Sequence, residues 1–337
     1  MPLEVEPHPA WDTRPRSSAG PRGRRGVRIA LVNNMPDTAL AATETQFCGL
    51  LQAAAGGRSI QVRLSSFPEL PRSPAALEHV GRSYWPLDEL LSEPLDALIV
   101  TGTEPRAARL TDEPYWLRFP QLLAWAEAQR VPSIWSCLAA HAVVEHLDGI
   151  ERQRLAHKRC GVFEHDILGG HPLLAAVGAP LPMPHSRWNE LPVTALRAAG
   201  YTLLSWSAHT GADAFIKRHR SPMLFFQGHP EYGAATLLKE YRRDVGRYLD
   251  AQQPHYPTLP FGYLSATATA LLEEFRQQAL TRRPAGLLEH FPFAAVATTL
   301  RDPWRPAAVA IYRNWLALVG AAGTRMSAPD AVSLTDV

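Results

Sequence analysis

Cys137 closes the apolar run Val131-Pro-Ser-Ile-Trp-Ser136 and opens a helix-like stretch, Leu138-Ala-Ala-His-Ala-Val-Val-Glu-His146. At a strand-to-helix turn the sulfur sits at the positive end of a helix. Unpaired backbone N–H groups and the macrodipole there favour a thiolate over a thiol. Small residues at Ala139 and Ala140 let the backbone turn tightly, so the Leu138 N–H can face a developing oxyanion. A cysteine in this pattern also fits ordinary core packing, because free cysteine is among the most buried residue types. A second segment decides between the two. Met223-Leu-Phe-Phe226 reads as a buried strand that ends at Gln227-Gly228 and delivers His229 beyond its carboxyl edge, with Pro230 expected to keep the chain extended and Glu231 two residues on. A carboxylate at that spacing can select the imidazole tautomer and stabilise the imidazolium formed when the ring takes the thiol proton. Cys137, His229 and Glu231 are therefore the candidate nucleophile, base and orienting acid.

These residues need a frame that brings distant segments to one place. From Val27 the chain alternates short apolar runs with helical periods: Val27–Val32, a helix around Thr43, Ile60–Leu64, Leu95–Val100, a helix over Tyr115–Gln129, and the strand before Cys137. This alternation predicts an α/β fold, a mostly parallel sheet flanked by helices, with the site at the carboxyl ends of the strands. Asn33-Asn34, Thr101-Gly102, Cys137 and His229 each follow a predicted strand and should share one rim. Between Gly161 and Gly211 the pattern loosens, and short candidates such as Leu203–Trp206 and Ala214–Ile216 suit a small antiparallel layer, with Ser186 and Arg187 on a loop there. Residues 1–26 are basic and rich in Pro, Gly and Ser, and read as a disordered tail; residues 27–319 read as one domain; residues 320–337 read as a flexible tail.

Several separated motifs give the chain a family likeness. Asn33-Asn-Met-Pro36, Thr43-Glu-Thr-Gln46, Thr101-Gly102, Tyr115-Trp116, Lys158 with Gly161-Val-Phe-Glu-His165, Pro184-His-Ser-Arg187, Gly228-His-Pro-Glu-Tyr232, Glu240-Tyr-Arg-Arg-Asp244 and Asn314-Trp315 occur in that order. In these the chain resembles the homoserine O-acyltransferases of the class I glutamine amidotransferase-like superfamily, which activate homoserine for methionine biosynthesis. The resemblance implies that Cys137 accepts an acyl group from coenzyme A and passes it to the homoserine hydroxyl by a ping-pong route, with His229 as base and Glu231 as its partner. It implies that Lys158 and Ser186 help form the substrate pocket. It also implies that Arg243 holds the amino acid's carboxylate, a task suited to a planar guanidinium. Acyl-CoA is then a co-substrate, and no bound cofactor is implied.

The chain departs from the family pattern in four places. At Thr101-Gly-Thr-Glu-Pro-Arg106, Arg106 occupies the position that bears on donor choice, where the family has a small residue with succinyl-CoA and a glutamate with acetyl-CoA. Its charge can pair with a succinyl carboxylate, which favours succinyl-CoA over acetyl-CoA. Leu138, Ala139 and His141 replace the usual residues after the nucleophile; a backbone oxyanion donor tolerates this, and His141 fits either the pocket lining or, as the safer reading, the helix surface. Trp188 stands where a tyrosine is common. Ser265–Leu280 looks like a helical insertion, about residues 265–281, whose apolar spacing fits packing or a homodimer contact.

Composition fits an enzyme of this kind. The chain has 337 residues, 46% hydrophobic and 20% charged, with a formal net charge of +2, which allows a large core and implies no nucleic-acid partner. No apolar run approaches a membrane span and the start lacks a secretory signal, so the cytoplasm is the expected compartment. Cys48, Cys137 and Cys160 are too few for a disulfide framework and show no zinc spacing, so no structural metal is expected. Two rival readings share these residues: a glutaminase-type amidotransferase, for which the chain lacks room for a synthetase domain, and a metabolite-binding protein without turnover.

Overall fold

The computed structural model describes residues 3–8, 26–281 and 286–326. In chain order the first half comprises β1 (Leu3–Val5), β2 (Val27–Val32), α1 (Leu40–Ala54), β3 (Ile60–Ser65), α2 (Pro74–Ser83), α3 (Leu87–Ser92), β4 (Ala97–Val100), α4 (Arg118–Ala128), β5 (Ser133–Ser136) and α5 (Leu138–Asp148). The second half comprises β6 (Gln153–Ile167), β7 (Leu181–Glu190), α6 (Val193–Ala198), β8 (Thr202–Leu203), β9 (Ser205–Ser207), β10 (Gly211–Ala212), β11 (Ala214–Arg218), β12 (Pro222–Phe226), α7 (Thr236–Leu249), α8 (Ala266–Thr281), α9 (Phe293–Ala297) and α10 (Arg305–Met326).

Eight strands assemble as one sheet in the order β1-β3-β2-β4-β5-β12-β11-β8. All pairings from β1 to β12 are parallel, and β11 and β8 close one edge antiparallel. Side-chain alternation along these strands feeds two cores. Ala30, Val32, Leu98, Val100, Trp135 and Phe225 pack on one face with residues of α4 and α5, and Ile29, Leu31, Ile99, Ile134, Leu224 and Phe226 pack on the other with α1 and α10. A sheet covered on both faces needs such unbroken apolar strands, which is why these runs were legible. The carboxyl ends of β2, β4, β5 and β12 open onto one rim. A third core joins α7, α8 and α9, with Leu272 and Phe275 of α8 packed alongside Tyr241 and Phe291. The buried face of α8 is thus spent within the chain.

The structure corrects the sequence reading in four places. Leu3–Val5 is ordered as an edge strand parallel to β3, where the Glu6 carbonyl accepts from Trp85 Nε1 at 2.9 Å and the Glu6 carboxylate accepts from Arg63 Nε at 2.8 Å. Backbone pairing and these side-chain contacts hold a segment whose composition alone predicts disorder; residues 9–25 of the expected tail lie outside the described residues. Helix α10 runs on to Met326, past the expected end of the domain at 319, and only residues 327–337 of that tail lie outside the described residues. Ser186 and Arg187 lie within β7, a strand paired along its length with the fifteen-residue β6, and β6 in turn pairs with β9 in a small four-stranded antiparallel sheet. Prolines at 182 and 184 hid this strand. Finally, β8 and β11, expected in that small layer, instead extend the main sheet.

Candidate active site

Cys137 adopts φ 54° and ψ −115°, a left-handed conformation for a residue with a side chain, at the junction of β5 and α5. Such a conformation costs on the order of 1–3 kcal/mol and persists only where the surroundings impose it. Here they do: the Cys137 N–H donates to the Phe226 carbonyl at 2.7 Å, which continues the parallel pairing of β5 and β12, and the Cys137 carbonyl accepts from Ala140 N–H at 3.0 Å as the helix begins. The thiol is thereby presented at the carboxyl edge of the sheet, with the first-turn donors of α5 beside it.

β12 delivers His229 to the same place. The chain does not stay extended at Pro230: it turns there, closed by Tyr232 N–H donating to the His229 carbonyl at 3.1 Å. The turn is what carries Glu231 back, so that Glu231 Oε1 accepts from His229 Nδ1 at 2.8 Å. That contact leaves Nε2 for the thiol. Burial opposes a charge on His229, but the Glu231 carboxylate and the sulfur of Cys137, to which the ring is hydrogen-bonded, raise its pKa well above the ordinary value of 6.5. The Tyr232 ring stacks on the imidazole at 4.2 Å and fixes its plane.

Behind His229 lies a buried polar plug that sequence reasoning missed. Asp213 is wholly buried; its Oδ1 accepts from Gly228 N–H at 2.9 Å and its Oδ2 from Ser205 Oγ at 3.1 Å. A Cβ on Gly228 would stand 2.6 Å from Asp213 Oδ1, so only glycine lets the loop reach this carboxylate. His165, His185 and Asp213 offer atoms close enough together to suggest a metal, but their hydrogen bonds assign the cluster otherwise. Arg187 Nε–H donates to His185 Nδ1 at 3.3 Å, which places the His185 proton on Nε2, the atom a metal would require. His165 Nδ1–H donates to the Phe163 carbonyl at 3.0 Å, so its Nε2 accepts from Thr210 Oγ1 at 2.7 Å and from His185 at 3.2 Å. Burial and the Arg187 charge hold His185 well below its ordinary pKa, hence neutral. With its Nδ1 accepting from Arg187 and its Nε2–H turned to His165, His185 has no lone pair left for a metal.

A cavity of about 180 Å³ connects these parts, and Cys137, Leu138, Lys158, Ser186, His229, Glu231 and Arg243 all line it. The pocket residues predicted from sequence therefore converge, with one exception. Arg106 lines a neighbouring cavity of about 460 Å³ together with Arg72 and Arg247, because its loop is pinned outward by Glu113, whose carboxylate accepts from the Arg106 and Ala107 N–H groups at 2.6 and 2.8 Å. The guanidinium that does line the Cys137 pocket and is almost fully buried is Arg187, on β7. Lys158 is no ordinary surface charge: it projects from β6 onto Asp244 at 2.6 Å, and although burial opposes it, Glu240, the Cys160 sulfur and Asp244 raise its pKa. Arg243 donates through Nε and Nη2 to Asp244, both at 3.1 Å, leaving its other N–H groups for a ligand.

Gly102 faces α5, the helix that follows Cys137, from the end of β4. A Cβ at this position would stand 2.7 Å from Leu138 Cβ and 2.8 Å from Leu138 N. Gly102→Ala should therefore obstruct the Leu138 N–H and slow acylation of Cys137 by about 10²–10³, the usual cost of losing an oxyanion donor. Rapid-quench acylation with far-UV circular dichroism as a folding control measures this. Acylation within a few-fold of wild type in a folded variant would remove the Leu138 N–H from the chemistry.

Comparison with known proteins follows the same lines. The chain matches the homoserine O-succinyltransferase family over residues 15–325. A homoserine O-succinyltransferase of Methylorubrum extorquens is 45% identical over 298 residues, covering 88% of each chain. One from Rhodopseudomonas palustris is 43% identical over 305 residues, covering 90% of this chain and 92% of that one. Among solved structures, a glutamine amidotransferase from Thermotoga maritima aligns at 12% identity and a TM-score of 0.48, over 88% of this chain and 99% of that one. The chain belongs to the homoserine O-succinyltransferase family.

Proposed function

We propose that this enzyme transfers a succinyl group from succinyl-CoA to the hydroxyl of L-homoserine, a step of methionine biosynthesis, through a thioester on Cys137. The observation that carries the mechanism is the strained turn of Cys137 beside a His229–Glu231 couple whose carboxylate occupies Nδ1. The proton shared by Cys137 and His229 starts on the imidazole, whose pKa is raised. The thiolate attacks the succinyl carbonyl, forming the S–C bond; the oxyanion meets the Leu138 N–H, and on collapse the coenzyme A thiolate leaves with the proton from His229. Once coenzyme A has gone, His229 takes the homoserine hydroxyl proton, the alkoxide attacks the Cys137 thioester, and the released thiolate returns the site to its starting state. Lys158, Ser186 and Arg243 bind substrate. Among these, Arg243 has guanidinium N–H groups to spare for the carboxylate of homoserine.

Arg106 is better assigned to the outer cavity, where it can meet the coenzyme A portion, than to the succinyl carboxylate. Arg187, which lines the inner cavity, is the closer cation for that carboxylate. The need for succinyl-CoA and homoserine favours the cytoplasm, and no helix among the described residues is long and apolar enough to cross a membrane.

Incubation with succinyl-CoA in the absence of homoserine should leave a succinyl adduct on the peptide that carries Cys137, and homoserine should discharge it as O-succinylhomoserine. Mass spectrometry reads both steps. Ammonia release from glutamine without any acyl adduct would favour the glutaminase alternative.

A further inference from the structure

Sequence favours the helix surface for His141, but the structure buries it to 2% exposure in the wall of the Cys137 cavity, one turn beyond the nucleophile on α5. Its hydrogen bonds fix its chemistry. The Gln227 amide donates through Nε2 to the Ala212 carbonyl at 2.6 Å, and its Oε1 accepts from the Leu191 N–H at 3.0 Å, so the oxygen is the atom that faces His141. His141 Nε2, 3.1 Å from that oxygen, must then carry the proton. Burial, with the Arg187 and Arg152 charges, lowers the ring's pKa to about 3, so the ring is neutral and Nδ1 is a bare lone pair. That buried Nδ1 has no hydrogen-bond partner among the described residues. A buried acceptor left unmatched costs stability and calls for a donor from the ligand.

Little in the two substrates qualifies. The succinyl group offers only acceptors, and the homoserine hydroxyl proton goes to His229. The homoserine ammonium is disfavoured at this ring by the same Arg187 and Arg152 charges. What remains is a neutral N–H, and acyl-CoA carries one on the pantetheine arm, in the amide nearest the thioester sulfur.

We propose that His141 is a donor-binding residue whose Nδ1 lone pair accepts the pantetheine amide N–H of the acyl-CoA thioester. The proposal rests on the succinyl-transfer reading above and names the part of the donor that this wall of the cavity recognises. The site thereby distinguishes a coenzyme A thioester from a plain one before chemistry begins.

The test is Cys137 acylation by succinyl-CoA and by the succinyl thioester of a simple alkanethiol, which lacks the amide. His141→Gln keeps a donor toward Gln227 but has no acceptor at the Nδ1 position. It should lower kcat/KM for acylation by succinyl-CoA about tenfold and leave the alkanethiol thioester and the KM for homoserine unchanged. His141→Asn, whose amide oxygen lies near the Nδ1 position, should recover much of the loss. Equal losses with the two thioesters, or a loss confined to the KM for homoserine, would overturn the assignment. Failure of the wild-type enzyme to form an acyl-cysteine with either thioester would instead remove the reading on which it rests.

Discussion

Cys137→Ala should form no acyl-enzyme and lose turnover by about 10⁴-fold or more, as when the nucleophile of a cooperating set is removed. No other described cysteine can substitute. Burial and Glu44 push the Cys48 thiol up to about 11, and burial pushes that of Cys160 up to about 12 despite the neighbouring Lys158. The measurement is intact-protein mass after mixing with succinyl-CoA, alongside steady-state turnover. Folding should survive, because alanine keeps the Cβ and the backbone contacts to Phe226 and Ala140 do not involve the side chain. A structural consequence separates this site from a packing cysteine. At φ 54° a residue with a Cβ is strained and glycine is not. Cys137→Gly should therefore be inactive yet unfold at higher denaturant than Cys137→Ala, by about 1 kcal/mol. Residual acyl transfer in either variant, or a glycine variant weaker than the alanine one, would contradict the view that strain is held here for presentation of the sulfur.

How much of this was legible in the sequence depends on which physical signal each part left. The parallel strands announced themselves because a doubly covered sheet requires unbroken apolar runs, and the candidate nucleophile and base lie at the ends of two of them. Lys158 was harder to read: β6 is half exposed, so its residues look like surface charge until the pairing with β7 is known. In sequence Pro230 suits an extended chain, whereas in the structure it starts the turn that closes the His229–Glu231 contact; proline fixes φ but suits both conformations. Arg106 kept its place in the family pattern and lost its expected neighbourhood, because the buried Glu113 holds the loop backbone and turns the side chain to the outer cavity. The roles of Gly102, Asp213 and His141 depend on contacts between segments far apart in the chain, 86 residues in the case of His141 and Gln227. No local pattern encodes such contacts. For Gly102 the signal was a small residue just past a strand, and only the approach of Leu138 gives it meaning.

His229→Asn should slow both half-reactions by about 10²–10⁴, the range for loss of a positioned general base. Asparagine is the informative replacement because its amide can still donate to Glu231 from near the Nδ1 position, so the turn at Pro230 is kept while the atom facing the thiol is lost. Single-turnover acylation by succinyl-CoA and discharge of a preformed acyl-enzyme by homoserine measure the two steps separately. A loss in acylation alone would give the second proton transfer to another group. The same variant tests the electrostatics. Because the folded-state pKa of His229 is raised above 6.5, its charged form contributes stability that is fully present below that pH and is lost as pH rises through the folded value. Wild-type stability to denaturant should accordingly decline across that alkaline window more steeply than that of His229→Asn, which has no proton to release there. Parallel pH profiles would mean that the Glu231 and Cys137 charges do not hold the proton on this ring, and the proton would then have to start the reaction on the thiol.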